Sequence, residues 1–346
     1  MPRMNLHAKK TDKEQIALPS LSNLLPLLRC PDCGKAELLL VARPDASGHL
    51  QCAACGAEFP ILAGRPVLIR HDNAVFPLAA YIAPASATPT SWRSRWLPRV
   101  VHFIPDPSIN LARKRVLEKM QALLADKTSA VVLVVGSGKQ RDDLNRLLNN
   151  GVGHGRLKII YSDIDREAEV DLFCDGHNLP FIDQSIDAAI TTVVLEHVAS
   201  PERVVAEMHR VVKPGGLVYS EMPFMQQVHE GAYDFTRYSL SGHRRLFNGF
   251  AEIDSGMVAG PATTLVWAIE NFSLAFVSRP ILRLMTKALV RLVFSWLKYI
   301  DVLLRNRPEA MDGASCTYFL GARIEHKVSD AEIIARYVGA KHLRHV

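Results

Sequence analysis

The chain is as informative in what it lacks as in what it has. It has no uninterrupted apolar run of the roughly 20 residues that a bilayer-crossing helix needs. The nearest stretch, 255–278, has Glu270 as its only charge but carries Gly260-Pro261 and several hydroxyls. The first 29 residues mix Lys9, Lys10, Asp12, Lys13 and Glu14 with short apolar runs and show no apolar core leading to a cleavage site. No export is therefore expected, and the expected location is cytoplasmic, with peripheral membrane contact as an open addition. Cysteine is scarce: there are six, four of them in two CxxC pairs, which without export argues for metal over disulfides. Excess charge is small, a formal +6 over 346 residues. That is a weak lean towards anionic partners, RNA or a membrane surface, and does not choose between them.

Two nucleotide motifs are also missing. Residues 131–140 read VVLVVGSGKQ, a buried strand opening into a glycine loop. A phosphate-cradling GxxxxGK[ST] loop would need glycine at 133, which is Leu133, and a hydroxyl after Lys139, where Gln140 stands. A dinucleotide GxGxxG would need glycine at 141, which is Arg141.

The cysteine pairs Cys30-Pro-Asp-Cys33 and Cys52-Ala-Ala-Cys55 stand 18 residues apart, the spacing of a tetrahedral zinc site. Each CxxC turn aims two thiolates at one ion, and a short hairpin is expected between them from residues 37–42 and 48–51. Four protein ligands leave no open position, so the Zn2+ should be structural. The following stretch, CGAEFPILAGRPVL (55–68), is similar to the ending of the small zinc ribbons related to the tRNA-methyltransferase activator family. Residues 82–108 hold five prolines with Trp92, Arg93, Arg95 and Trp96, an irregular linker expected to lie along a surface. A helix over 109–126 leads onward.

Alternating strands and helices follow, which implies a parallel sheet with ligands at its carboxyl ends. Strand 158–163 ends in Asp163; Asp175-Gly-His-Asn-Leu-Pro-Phe181 is an acidic turn; 185–194 is a near-continuous apolar strand closed by Leu195-Glu-His-Val198. Ser200-Pro201 opens a helix with Val204, Val205, Met208, Val211 and Val212 on one face, stopped by Lys213-Pro-Gly-Gly216. This ordered set over 131–220 resembles the class I S-adenosylmethionine-dependent methyltransferases of the quinone-biosynthesis type. The resemblance implies a Rossmann-like α/β fold and assigns donor-binding roles. Gly136, Ser137 and Gly138 approach the methionine and ribose, Asp163 with Asp165 holds the ribose hydroxyls, and Asp175, Gly176 and His177 meet the adenine. Leu195, Glu196 and His197 border the methyl end. In one respect the chain departs from the family, which has an acid two residues before the first glycine; here that residue is Val134, with Asp142 or Asp143 as substitutes, and Gln140 replaces a further glycine.

The acceptor is expected over 222–239, where His229, Asp234, Arg237 and Tyr238 cluster. His229 is the candidate base, Asp234 its orienter and Arg237 an anion clamp; an Asp–Arg pair that merely fixes the loop is the competing reading. Exocyclic-amine and cytosine-C5 chemistry are disfavoured by the lack of an Asn/Asp-Pro-Pro-aromatic turn and of a Pro-Cys dipeptide. Strands over 251–258 and 315–324 should close the sheet, with a helical insertion over 262–310 between them. There Arg279, Arg283, Lys287, Arg291, Lys298 and Arg305 stand against only Glu270 and Asp301. The stripe reads as a membrane-surface helix, a lid or a homodimer seam.

The expected organisation is a flexible tail (1–25), a zinc ribbon (26–72), a linker and lead-in helix (73–125), a methyltransferase domain (126–325) and a C-terminal helix (326–346) opened by the capping box of Ser329 and Glu332. The expected reaction is methyl transfer to a small-molecule, lipid-linked or saccharide acceptor. RNA methylation and a donor-binding scaffold without turnover are the alternatives.

Overall fold

In the computed structural model, residues 21–41, 48–82, 104–138, 141–149 and 157–341 are described. The first twenty residues, the linker's Trp92, Arg93, Arg95 and Trp96, and Gln140 lie outside them, as do the side chains of Asp142 and Asp143.

The sheet begins in the cysteine-rich segment. β1 (Leu38–Val41) and β2 (His49–Cys52) form the expected antiparallel hairpin, β3 (Glu58–Leu62) extends it, and β4 (Arg65–Leu68) turns back along β3. β4 then pairs in parallel with β7 (Leu172–Cys174), setting Val67 against Phe173 and Leu68 against Cys174. The four ribbon strands are thus continuous with the main sheet. Beyond β7 that sheet runs β6 (Leu157–Asp163), β5 (Ala130–Val135), β8 (Ile186–Thr192), β9 (Val212–Pro223), β11 (Cys316–Arg323) and β10 (Phe250–Ala259). From β4 to β9 the strands are parallel, and β11 is antiparallel to both neighbours.

The helices are α1 (Leu21–Leu24), α2 (Leu78–Ile82), α3 (Arg113–Leu123), α4 (Arg141–Asn149), α5 (Pro201–Val211) and α6 (Leu240–Leu246). They are followed by α7 (Pro261–Leu274), α8 (Pro280–Phe294), α9 (Ile300–Leu304) and α10 (Asp330–Ala335). Alternate residues of β5 serve opposite layers: Val132 and Val134 pack with Val116, Leu117 and Met120 of α3, Leu133 and Val135 with Val204, Val205 and Met208 of α5. A strand buried on both faces reads as a continuous apolar run, which is why this one was visible in sequence. The α5 layer also takes Leu24, Leu50 and Phe59 from the ribbon segment, so ribbon and main sheet share one core. Hydrogen bonds sew the seam: Arg29 N to Pro180 O (3.0 Å), Ile182 N to Leu27 O (2.9 Å) and Asn178 Nδ2 to Pro31 O (2.8 Å).

Glu221, on β9, is buried and receives Arg113 (2.9 and 2.5 Å), Asn110 (3.1 and 3.2 Å) and the Tyr219 hydroxyl (2.5 Å). This anchors α3 to the sheet. At the start of α5, Pro201 occupies the first turn as expected, but the Ser200 hydroxyl makes no capping bond. Ser329 and Glu332 form the expected capping box on α10.

The insertion corrects one expectation. Its basic residues do not form one outer stripe: Arg279, Arg283 and Arg305 are exposed, but Lys287 and Arg291 turn inward. Arg291 pairs with buried Glu270 at 2.6 and 3.2 Å, Lys287 stands 4.0 Å from the same carboxylate, and Arg283 donates to the Leu274 and Val277 carbonyls ending α7. Asp301, fully buried, caps α7 by accepting from Gly260 N, Ala262 N, Thr263 N and Thr263 Oγ1. With Lys287 and Arg291 turned towards α7, much of the apolar side of α7–α9 faces outward: Phe272, Phe276, Ile281, Met285, Leu289, Leu292, Trp296 and Leu303 are 59–79% exposed. Among the described residues no helix is long and apolar enough to cross a membrane.

Candidate donor site and its acceptor end

Strand order reverses between β5 and β8, and a crevice at such a switch point is where open α/β sheets bind ligands. Here it is a cavity of about 940 Å3, at the large end of small-molecule sites. Gly136 closes β5 with φ +71°, and a Cβ there would stand 2.5–2.6 Å from the Val194 methyls. Both the left-handed backbone and the close approach require glycine. On the other side, Val193, which lines the crevice, also takes a positive φ, 57°, an outlier for a β-branched residue.

Gly138 N donates to Asp163 Oδ2 (2.7 Å), and Asp165 N to Asp163 Oδ1 (2.8 Å). Burial pushes the Asp163 carboxyl up, yet each oxygen retains a lone pair for a hydroxyl donor. Asp165 lies at the rim, accepting from Glu167 N (2.9 Å). Ser137 Oγ is buried beside the cavity with no hydrogen-bond partner, the kind of orphan that a ligand satisfies. Asp175 Oδ1 accepts from His177 N (2.9 Å) and stands 2.7 Å from His177 Nδ1, and Oδ2 accepts from Asn73 Nδ2 (2.8 Å). Burial works against its charge, but these bonds outweigh it and hold the carboxyl below its usual range. His177 Nε2 accepts from Ser200 N (3.3 Å), while Gly176 packs on Val204 beside the cavity. Val134 points into the α3 layer of the core, so its position supplies no acid to the crevice.

At the far end His197 and His229 line the cavity, their rings edge to face at 4.9 Å. Leu195 and Glu196 lie buried beneath them. Burial lifts the Glu196 carboxyl to about 8 and, with the nearby His229, lowers the His197 imidazole. The remaining loop residues of the expected acceptor cluster do not line the cavity. Arg237 pairs with Asp234 and donates to the Gln226, Gln227 and Thr236 carbonyls, and Asp234 also accepts from His229 N (2.9 Å). Burial opposes the Asp234 charge, but Arg237 and the loop N–H groups hold its carboxyl well below the usual range. This pair fastens the loop to itself. Tyr238 donates to Glu202 (3.0 Å) at the start of α5.

Sequence reading missed one wall. Asn73, Phe76 and Tyr81, just past the ribbon, border the site: Asn73 through Asp175, Phe76 stacked on Tyr233 (6.3 Å), and Tyr81 bonded to the Ile164 carbonyl. No motif marks them, because their role follows from the β4–β7 pairing.

The cysteines converge as expected. Cys30 Sγ lies 3.8 Å from Cys55 Sγ and Cys33 Sγ 3.6 Å from Cys52 Sγ, all four sulfurs lie within 4.8 Å of one another, and none is in a disulfide. Zn–S bonds of about 2.3 Å in a tetrahedron separate sulfurs by about 3.8 Å. The Lys35 backbone N–H points at Cys33 and lowers its thiol, whereas at Cys55 the Ala57 N–H is outweighed by burial and the neighbouring thiols, which push that thiol up. The donor set fits zinc.

The parallel sheet, its reversed penultimate strand and the crevice at the switch point form the Rossmann-like α/β arrangement that the sequence resemblance implies. Residues 151–220 match a family model described as a methyltransferase domain. The chain is 55% identical over 42 residues to an uncharacterized protein of transposon TN4556 from Streptomyces fradiae, covering 12% of each. It is 52% identical over 42 residues to an uncharacterized methyltransferase of Mycolicibacterium vanbaalenii, covering 12% of this chain and 16% of that one. The chain thus spans less than a fifth of the length of these relatives. Among solved structures, a Haloferax volcanii complex containing the Trm112 methyltransferase activator aligns with 69% of this chain and 100% of its own, at 19% identity and a TM-score of 0.38, a likeness too slight to bear on function.

Proposed function

We propose that the protein is an S-adenosylmethionine-dependent methyltransferase whose amino-terminal ribbon is held by a structural Zn2+ on Cys30, Cys33, Cys52 and Cys55. The observation that carries the reading is the crevice itself. A left-handed glycine loop, the orphaned Ser137 hydroxyl, and Asp163 and Asp175 at successive strand ends meet at the switch point, in the order a nucleoside bearing a charged amino-acid tail requires. The donor supplies a methyl group on a sulfonium. The chain's residues orient it: Asp163 takes the ribose hydroxyls, Asp175 and His177 lie beside the adenine, and His197 and His229 face the methyl end, where an acceptor is aligned for in-line displacement. Calorimetric titration of zinc-loaded protein with S-adenosylmethionine and its demethylated product tests this. Micromolar binding lost in Asp163→Ala supports it, and no binding to wild type overturns it; binding without methyl transfer to any acceptor favours a donor-binding scaffold.

The outward apolar side of α7–α9 favours an acceptor held at a lipid surface, since so contiguous a face is ordinarily covered. The insertion leaves the sheet at Ala259 and rejoins it at Cys316, which pairs with Pro223 at the carboxyl end of β9, the sheet end at which the cavity lies. Flotation with anionic liposomes, reduced in Met285→Glu/Leu289→Glu, supports this. An affinity for RNA that falls with salt, without liposome binding, favours the nucleic-acid acceptor instead.

A further inference from the structure

Glu196 is a buried carboxyl group without a hydrogen bond. It is 0% exposed and neither oxygen has a hydrogen-bond partner, although a buried polar group is ordinarily paired. Two imidazoles stand over it. His197 Nδ1 lies 2.8 Å from the Tyr233 carbonyl, which can only accept, so Nδ1 carries the hydrogen. The lone pair is therefore on Nε2, 3.6 Å from Glu196 Oε1. His229 Nδ1 faces two acceptors, the Gln227 carbonyl (3.3 Å) and Asp234 Oδ2 (3.5 Å), which leaves its Nε2 lone pair free as well. One ligand atom from each of the three residues lies within 4.8 Å of the others. A carboxylate and two imidazole nitrogens, each ring held through its other nitrogen by a carbonyl or carboxylate, is how metal-binding histidines are usually oriented.

We infer that Glu196, His197 and His229 form a divalent-cation site at the acceptor end of the donor cavity, selective for a first-row transition ion. Two nitrogens and one carboxylate suit Mn2+, Fe2+, Co2+ or Zn2+ better than the oxygen-seeking Mg2+ or Ca2+. Three protein ligands leave coordination positions on the cavity side, where His197 and His229 are exposed to it. The cation supplies the charge that buried Glu196 lacks. Its role rests on the methyltransferase reading: an acceptor hydroxyl bound there loses its proton to solvent more readily. The resulting oxyanion attacks the methyl carbon, and the S–C bonding pair returns to sulfur, leaving a neutral thioether. The site therefore points to O-methylation of an acceptor with an ionisable hydroxyl. It also gives His229 the task of a ligand in place of that of a base.

The test is an electron paramagnetic resonance titration of the full chain with Mn2+, after one equivalent of Zn2+, which the thiolates take first. One Mn2+ per chain in the micromolar range is expected. Affinity should fall at least about tenfold in Glu196→Gln and in His229→Ala, since even supporting groups of metal sites cost that much. Glu196→Gln keeps the shape of the buried side chain while removing its anionic ligand form, so lost binding there does not signify unfolding, and thermal unfolding of both variants verifies it. Asp163→Asn, outside the site, should keep Mn2+ while losing donor, which separates failure of this site from failure of the donor reading. Wild-type binding weaker than millimolar, or unchanged affinity in both ligand variants, overturns it.

Discussion

Replacing Gly136 by alanine tests the geometry on which the donor site depends. The new Cβ meets two conflicts. The first is backbone: φ of +71° lies in the left-handed region, which costs a residue with a Cβ about 1–2 kcal/mol. The second is steric: at 2.5–2.6 Å from the Val194 methyls, one side must move, and overpacking of that kind costs about 1–3 kcal/mol. The loss expected in urea denaturation is therefore about 2–5 kcal/mol. The two parts are separable. Val194→Ala removes the methyls but leaves the backbone, so a double-mutant cycle should show a favourable coupling of at least about 1 kcal/mol and a residual cost near the backbone figure. Donor affinity follows the same logic, because yielding by Val194 drags the turn carrying Glu196 and His197. A loss below about 1 kcal/mol in Gly136→Ala, or no coupling to Val194, would refute the claim that β5 and β8 meet at a contact admitting only glycine.

Other outcomes follow from the buried charges and from the seam. Arg113→Ala leaves the buried Glu221 side chain without its cation and should cost about 3–5 kcal/mol in chemical unfolding; Arg113→Ala/Glu221→Gln should recover most of it, and an equal loss in both would show the ion pair is incidental. Burial, then the neighbouring Arg244 cation, holds the His243 imidazole down at about 3. The unfolded chain therefore takes up this proton first, and stability present above pH 6.5 is lost as pH falls towards 3. Between pH 7 and 5 the loss is about 2 kcal/mol, and His243→Gln should flatten that part of the profile. Asn73→Ala removes the donor to Asp175 Oδ2 and should weaken donor binding about tenfold, the worth of one charge-assisted hydrogen bond of roughly 1.5 kcal/mol. Zinc chelation should weaken donor binding at least as much, and donor affinity unchanged in metal-free, folded protein would show that the ribbon does not support the pocket wall.

What could be read in advance was local. The CxxC spacing, the glycine loop, the acids at strand ends and the closing pair β10 and β11 are short-range patterns, and each lies where its pattern places it. What could not be read depends on partners distant in sequence. Lys287 and Arg291 look like part of a solvent-facing stripe until α7 supplies Glu270. Asp234 and Arg237 have the composition of a catalytic pair, and only the loop's path shows them closing on Gln226 and Gln227. Asn73, Phe76 and Tyr81 resemble linker because the strand preceding them has no visible reason to join β7. Glu196 belongs to a turn whose wording suggested a donor contact, whereas its burial beneath two histidines is a tertiary fact.

The pairing of β4 with β7 also bears on where this protein can be divided. Strand β7 is only three residues long and buried on its full length, and its outer edge is covered solely by β4. Cutting before residue 126 to isolate the catalytic half would strip that edge and bare Val170, Phe173 and their apolar neighbours. An exposed, flat, apolar strand edge recruits other chains. The ribbon is thus a built-in safeguard against self-association, and a truncated form should be sought in the aggregate before its silence in an assay is taken as lost chemistry.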